Sequence, residues 1–180
     1  MKAIELILIV VVAGLVVLLA WPRLRRPRRP AAPPGARRIL VPFVGNLDPT
    51  VLAAAIRIAR AEDAVLVPAY LVIVPLRFPE ESPLTAEVQV AMPMLEAVEH
   101  AALGAGVPVD ARIEKGRSPT HALQRLWAVE HFDRVVVPAP TDGAGFSPKD
   151  ITWILAHAPG ETLILRPRPA EEAPPVRLAG

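Results

Sequence analysis

The sequence predicts an α/β domain with a five-stranded, mostly parallel sheet covered by helices on both faces, carried behind one N-terminal transmembrane helix. Between Arg38 and Arg166, five short β-rich runs alternate with four helical patterns, the succession that builds a parallel sheet. The runs are continuously apolar (Val65-Leu-Val, Leu71-Val-Ile-Val, Val135-Val-Val, Leu163-Ile-Leu) rather than alternating, as strands require when both faces are covered. Ahead of them, Leu6 to Leu19 is an unbroken run of Leu, Ile, Val, Ala and one Gly.

The first element is the anchor. From Ala3 to Trp21 the only charged residue is Glu5. Nineteen helical residues at about 1.5 Å each span roughly 28 Å, close to the hydrocarbon thickness of a bilayer. Trp21 suits the interfacial belt, and Arg23, Arg25, Arg26, Arg28 and Arg29 follow at headgroup level, where anionic lipid attracts each by about 1 kcal/mol. Lys2 and the N-terminus are the only positive groups ahead of the run, so the positive-inside rule puts the following domain in the cytoplasm. A signal peptide would carry its basic residues before the run and an A-x-A site after it. The expectation is a single-pass protein of the inner (plasma) membrane, with residues 1–21 as the anchor.

Pro22, Pro27, Pro30, Pro33 and Pro34 make residues 22–37 a semi-extended spacer. No aromatic residues interleave its arginines, so nucleic acid is not the expected partner. Residues 1–38 carry eight basic groups against Glu5, a net of +7, whereas residues 39–180 carry 12 basic and 17 acidic groups, a net of −5. The basic character therefore belongs to the tether. Residues 38–168 suffice for one core. Residues 169–180 lack periodicity and are expected to be disordered. The absence of cysteine excludes disulfides, thiolate catalysis and zinc–thiolate sites.

Within the domain, Ile39–Val44 reads as the first strand. Pro49–Arg60 follows as a helix, its apolar face made by Val51, Leu52, Ala55, Ile56, Ile58 and Ala59. Ala64–Val74 is the second strand. Leu84–Ala105 is the longest helix, ended by Gly104 and Gly106, and Pro93 predicts a kink or a broken first turn. Val107–Glu114 is the third strand, Pro119–Glu130 a helix, Arg134–Val137 the fourth strand, Pro148–His157 a helix and Thr162–Arg166 the fifth strand. Asp48-Pro49, Ser118-Pro119 and Ser147-Pro148 each put a capping side chain before a proline in the first helical position. All three follow strands, so the helix N-termini face the carboxyl edge of the sheet, where open α/β sheets bind ligands.

Four strings in this order resemble the universal stress protein domain over residues 38–167: Arg38-Ile-Leu-Val-Pro-Phe, Glu114-Lys-Gly-Arg-Ser-Pro-Thr-His-Ala-Leu, Phe132-Asp-Arg-Val-Val-Val-Pro and His157-Ala-Pro-Gly-Glu-Thr-Leu-Ile-Leu-Arg-Pro. The resemblance implies strand order 3-2-1-4-5, often a homodimer through the last strand, and in nucleotide-binding members a site for ATP or another adenine nucleotide. This chain departs from that site. Val44 stands where those members carry an adenine-contacting Asp, and Gly45-Asn46 replaces Gly-Ser. Ala139 replaces the first glycine of the phosphate loop, Gly143 and Gly145 lie in a shifted, shorter loop, and Pro148-Lys149 replaces the final Gly-Ser. The resemblance implies a degraded site, with Gly45, Asn46, Asp48, Gly143, Gly145, Ser147 and Lys149 as the residues left to flank a nucleotide. Asp142 and Asp150 put negative charge beside any phosphate.

Other chemistries find no support. Gly143-Ala-Gly-Phe-Ser-Pro-Lys lacks the Walker A spacing, Gly-x-Ser-x-Gly is absent, and His100, His121, His131 and His157 lack metal-ligand spacing. His121, in the first turn of its helix, is placed to reach the crevice mouth. No catalytic or metal-binding residue is assigned. The expected role is regulatory or scaffolding, by association with an unidentified membrane protein and a second copy of the chain. The alternative is an adenine-nucleotide sensor.

Overall fold

Five strands, β1 (Arg38–Phe43), β2 (Val65–Ile73), β3 (Arg112–Gly116), β4 (Arg134–Pro138) and β5 (Glu161–Leu165), form one sheet in the order β3-β2-β1-β4-β5. Every pairing is parallel. The computed structural model describes residues 35–79, 85–140 and 145–166. The expected anchor, arginine strip and tail lie outside them. Among the described residues no helix is long and apolar enough to cross a membrane.

Helices α1 (Pro49–Ala61) and α2 (Thr85–Gly104) cover one face of the sheet, and α3 (Pro119–Val129) and α4 (Pro148–His157) cover the other. On the first, Ile39, Val41, Leu66 and Val136 meet Val51, Ala55 and Ala59 of α1 and Val98 and Ala102 of α2. On the second, Leu40, Val67, Val135 and Val137 meet Ala122, Leu123 and Leu126 of α3 and Ile151 and Ile154 of α4. Covering both faces is why the strands read as continuous apolar runs. Gly116 lets the end of β3 approach α3 closely, since a Cβ there would sit 2.5 Å from the Ala122 nitrogen.

Two expectations need correction, both at prolines. The third strand starts at Arg112, not Val107; residues 107–111 touch β2 through only one isolated bridge, Leu66–Val109. Leu66 exchanges bonds with Pro108 and Asp110, and the ladder resumes at Ala69–Arg112 in the same register. The interruption falls at Pro68, which has no N–H to give β3. Conversely, of the two outcomes expected of Pro93, a kink or a broken first turn, the second does not occur, because α2 begins at Thr85 and continues past it as one helix. Gln89, the residue whose carbonyl Pro93 deprives of a donor, is itself exposed, so water can satisfy it.

Prolines also open a fork in the hydrogen-bond ladder at the sheet's centre. β1 pairs with β2 as far as Phe43–Tyr70, and β4 with β5 as far as Pro138–Leu165. Yet β1 and β4 pair only at Ile39–Arg134 and Leu40–Val135. The next two ladder donors across this seam would be Pro42 and Pro138, and neither has an N–H. The carbonyls of Val136 and Pro42 therefore lose their ladder donors, and hydrogen-bonded pairing across this seam stops at Leu40–Val135.

The amino ends of the same strands are tied by charge. Arg38 donates to Glu130 at 2.6 Å and to Asp110 at 3.1 Å, and its guanidinium lies 5.7 Å from the Phe132 ring centroid. Arg112 donates through Nε to Glu130 at 2.8 Å and pairs with Asp110. Arg134 pairs with both Glu62 and Glu161. The Arg38 N–H donates to the Asp133 carboxylate at 2.8 Å, and the Asp133 N–H donates back to the Arg38 carbonyl at 3.0 Å.

Candidate functional site

The loops after β1 and β4 leave adjacent strands at the carboxyl edge, so residues 44–48 on one side, and 139–140 and 145–147 on the other, lie at the end of this ladder. This is the topological switch point, where the connections from β1 and β4 run to opposite faces. Gly45, Asn46 and Asp48 lie on the first loop, Gly145 and Ser147 on the second, and Lys149 in the first turn of α4. Gly143 and Asp142 lie outside the described residues. Gly45 and Gly145 have φ of +69° and +84°, left-handed backbone that favours glycine. Asn46 and Lys149 are exposed.

The three capped junctions form as the sequence predicts, and their hydrogen bonds decide what the crevice offers. At α1, Pro49 has no N–H, while Thr50 and Val51 donate theirs to Asp48 Oδ1 at 2.7 and 3.3 Å. At α4, Pro148 has no N–H and Asp150 donates its own to Ser147 Oγ at 3.2 Å. The Ser147 N–H and hydroxyl both donate to Asp150 Oδ2, at 2.9 and 2.6 Å, completing a capping box. Each helix N-terminus beside the fork therefore already holds a carboxylate, the species its dipole favours. The Ser147 hydroxyl proton is committed as well.

At the third junction, Ser118 Oγ accepts from the His121 N–H at 3.1 Å, and His121 Nδ1 accepts from the Arg117 N–H at 3.2 Å. His121 thus helps close the turn into α3. Arg117, which sequence reasoning did not single out, donates to the carbonyls of Val74, Pro75 and Phe78 at 3.3, 2.8 and 2.9 Å. It straps the segment after β2 to the turn after β3, a role no local pattern signals because the partners lie about 40 residues away.

The two replaced family positions are used structurally. Val44 packs against the core on the α3–α4 face. Ala139, 7% exposed, donates its N–H to the Leu165 carbonyl at 2.8 Å and so extends the β4–β5 pairing. Among the described residues no group of three His, Asp or Glu side chains can hold a metal ion.

No protein-family model matches the chain, and no curated protein matches it in sequence. Solved structures do match it in shape. The universal stress protein UspA from Lactobacillus plantarum is 21% identical, with a TM-score of 0.58 over 72% of this chain and 97% of that one. A universal stress protein in complex with cAMP is 19% identical, with a TM-score of 0.52 over 73% and 97%. A universal stress protein family member from Arabidopsis thaliana with AMP bound is 18% identical, with a TM-score of 0.52 over 78% and 97%. At these identities the likeness establishes architecture, and residues 38–166 have the universal stress protein fold.

Proposed function

We propose that this chain is a membrane-tethered, non-catalytic regulatory module that acts by protein association, with the crevice at the β1–β4 fork as its input port for an adenine nucleotide or nucleoside. The observation that carries the reading is the switch point between β1 and β4 in a fold whose solved examples include proteins holding AMP and cAMP. Among the described residues, Asn46 and Lys149 are exposed polar side chains available there to such a ligand. The outer edge of β5, unpaired among the described residues and carrying Ile164 at 39% exposed, supports a homodimer through the last strand. The apolar run and arginine strip support a cytoplasmic domain held at the inner membrane, near anionic headgroups and a membrane-protein partner.

The test is thermal melting of the full chain in detergent micelles against ATP, ADP, AMP and cyclic dinucleotides. Ligand at a hundredfold excess over its dissociation constant stabilises a fold by about 2.7 kcal/mol, so a saturable rise in melting temperature is expected. A flat response up to millimolar ligand, with the fold intact, removes the input port and leaves an association module. The tether is tested separately. Replacing Arg23, Arg25, Arg26, Arg28 and Arg29 with glutamine is expected to randomise membrane orientation. Uniform cytoplasmic exposure in that variant would overturn the topology.

A further inference from the structure

We infer that the turn after β2, residues 75–78, inserts into the bilayer interface, with Leu76 and Phe78 as its apolar wedge and Arg77 at the level of the lipid phosphates. This rests on the membrane-tethered reading of the chain. The Phe78 N–H donates to the Pro75 carbonyl at 3.0 Å, which leaves Leu76 and Arg77 at the tip of a turn. Arg117 holds that turn through the carbonyls of Val74, Pro75 and Phe78. Behind it, Val74 is buried in the cluster that holds Ala91 and Leu95 of α2. Leu76 is nevertheless 88% exposed and Phe78 42%. A leucine on a loose loop needs no account, since scattered apolar side chains are ordinary on a surface. Here the backbone on both sides of the tip is fixed, so the fold itself presents the leucine to its surroundings.

Leu76-Arg77-Phe78 has the chemistry of the lipid interface, where leucine and phenylalanine enter the acyl boundary and arginine meets the phosphates. The Arg77 guanidinium lies 5.0 Å from the Phe78 ring centroid, so ring and cation can enter the interface together. What selects lipid over a protein pocket is the rest of the chain. In the tethered reading the apolar run at residues 3–21 brings a bilayer to the domain, and the spacer at residues 22–37 ends at the start of β1. Semi-extended at about 3.1 Å per residue, that spacer reaches up to roughly 50 Å. The nine residues of β2 cover roughly 30 Å at about 3.3 Å each, so the turn at its carboxyl end can return to the same lipid. A tethered contact meets its target at an effective concentration of about millimolar, so a single short wedge suffices. Glu80 and Glu81 follow in sequence, outside the described residues, so the contact depends on apolar insertion more than on anionic lipid.

The chain has no cysteine, so one introduced thiol carries a polarity-sensitive nitrobenzoxadiazole label without further changes. The experiment places it by Leu76→Cys, and for comparison by Gln124→Cys on α3, in the full chain reconstituted into lipid nanodiscs with and without a quencher on the acyl chains. Both positions are exposed, so neither substitution disturbs the core. The expected result is blue-shifted emission at residue 76, quenched by the lipid at least about threefold more strongly than at residue 124. Adding Phe78→Ser to the Leu76→Cys chain is expected to lower that quenching about twofold; quenching that it leaves unchanged belongs to the label and overturns the inference. Water-like emission at both positions, in a chain that stays with the discs, overturns the inference and leaves the tether standing. A blue-shifted but unquenched label at residue 76 means that protein covers the turn, and overturns it too. A chain that does not stay with the discs overturns the tether, and the inference with it.

Discussion

Phe132→Ala is expected to cost the domain about 3–5 kcal/mol, the range for removing a fully buried aromatic side chain. Phe132 is 0% exposed and lies in the core cluster with Leu126, Val135 and Ile154, at the entrance to β4. Its ring face also carries the Arg38 guanidinium, so truncation opens a cavity and removes a platform beneath an ion-pair cluster. Against a typical total of about 5–15 kcal/mol, such a loss leaves the domain marginal or unfolded. Phe132→Leu keeps most of the volume and is expected to lose less than half as much. Denaturant unfolding followed by tryptophan emission reads both variants, because the Trp127 and Trp153 rings stack 5.3 Å apart within the α3–α4 layer. Carrying Trp21→Phe in every variant confines that signal to the domain. A loss below about 1 kcal/mol for the alanine variant would mean the site collapses around the cavity.

The elements of this fold were legible because their signals are local. A capping side chain before proline announces a helix start within three residues, and all three junctions formed as read. An unbroken Val/Ile/Leu run announces a strand buried on both faces. Misreadings arose where a residue's effect depends on its neighbour in the sheet. Pro68 interrupts β3, not its own strand, because the donor it lacks would have gone across the ladder. The fork needs Pro42 and Pro138 to fall at successive donor positions on one seam, which two residues almost a hundred positions apart are seen to do only once register is known. Of the candidate site residues, Gly45, Asn46, Asp48, Gly145, Ser147 and Lys149 lie in the loops after β1 and β4 and the first turn of α4. The capping role of Asp48 was legible, but not that Asp150 turns back onto Ser147 to close a capping box, because that is a choice of rotamer rather than of residue type. Nor could the sequence assemble the charge cluster at the opposite edge, whose members enter from β1, β3 and β4 and from the connections preceding them.

That cluster sets the second large effect. Glu130→Ala is expected to destabilise the domain by about 2 kcal/mol, since it strips one of two carboxylates from Arg38 and Arg112 and leaves both guanidiniums on Asp110. Partial exposure, 24% at Glu130 and 28% at Arg38, keeps the figure below that of a fully buried pair. Glu130→Gln retains an acceptor of the same shape and is expected to lose about half as much. The pH dependence follows from Asp110. Burial alone would raise its carboxyl, but the hydrogen bonds and charges of Arg112, then of Arg38, outweigh burial and hold it below the usual carboxylate range. Its contribution is therefore complete above the unfolded-state value of about 3.9 and disappears as pH falls through the lower folded value. Burial lowers and its carboxylate partners more than restore the pKa of Arg112, so that group stays charged throughout and adds no slope. Asp110→Asn should flatten the acid limb of a stability–pH profile by up to one proton, about 1.4 kcal/mol per pH unit. A Glu130→Ala variant within 0.5 kcal/mol of wild type at pH 7 would reduce the cluster to a solvated surface. The consequence reaches the crevice, because Arg38–Glu130, Arg134–Glu62 and the paired Arg38–Asp133 bonds all cross the β1–β4 seam at its amino end. Prolines have shortened that ladder to two residue pairs, so the charges add to the two apolar layers in joining β3-β2-β1 to β4-β5. Weakening them should loosen the fork from below, and amide exchange at Leu40 and Val136, the last ladder donors across the seam, should quicken in Glu130→Ala ahead of exchange elsewhere in β2 and β5.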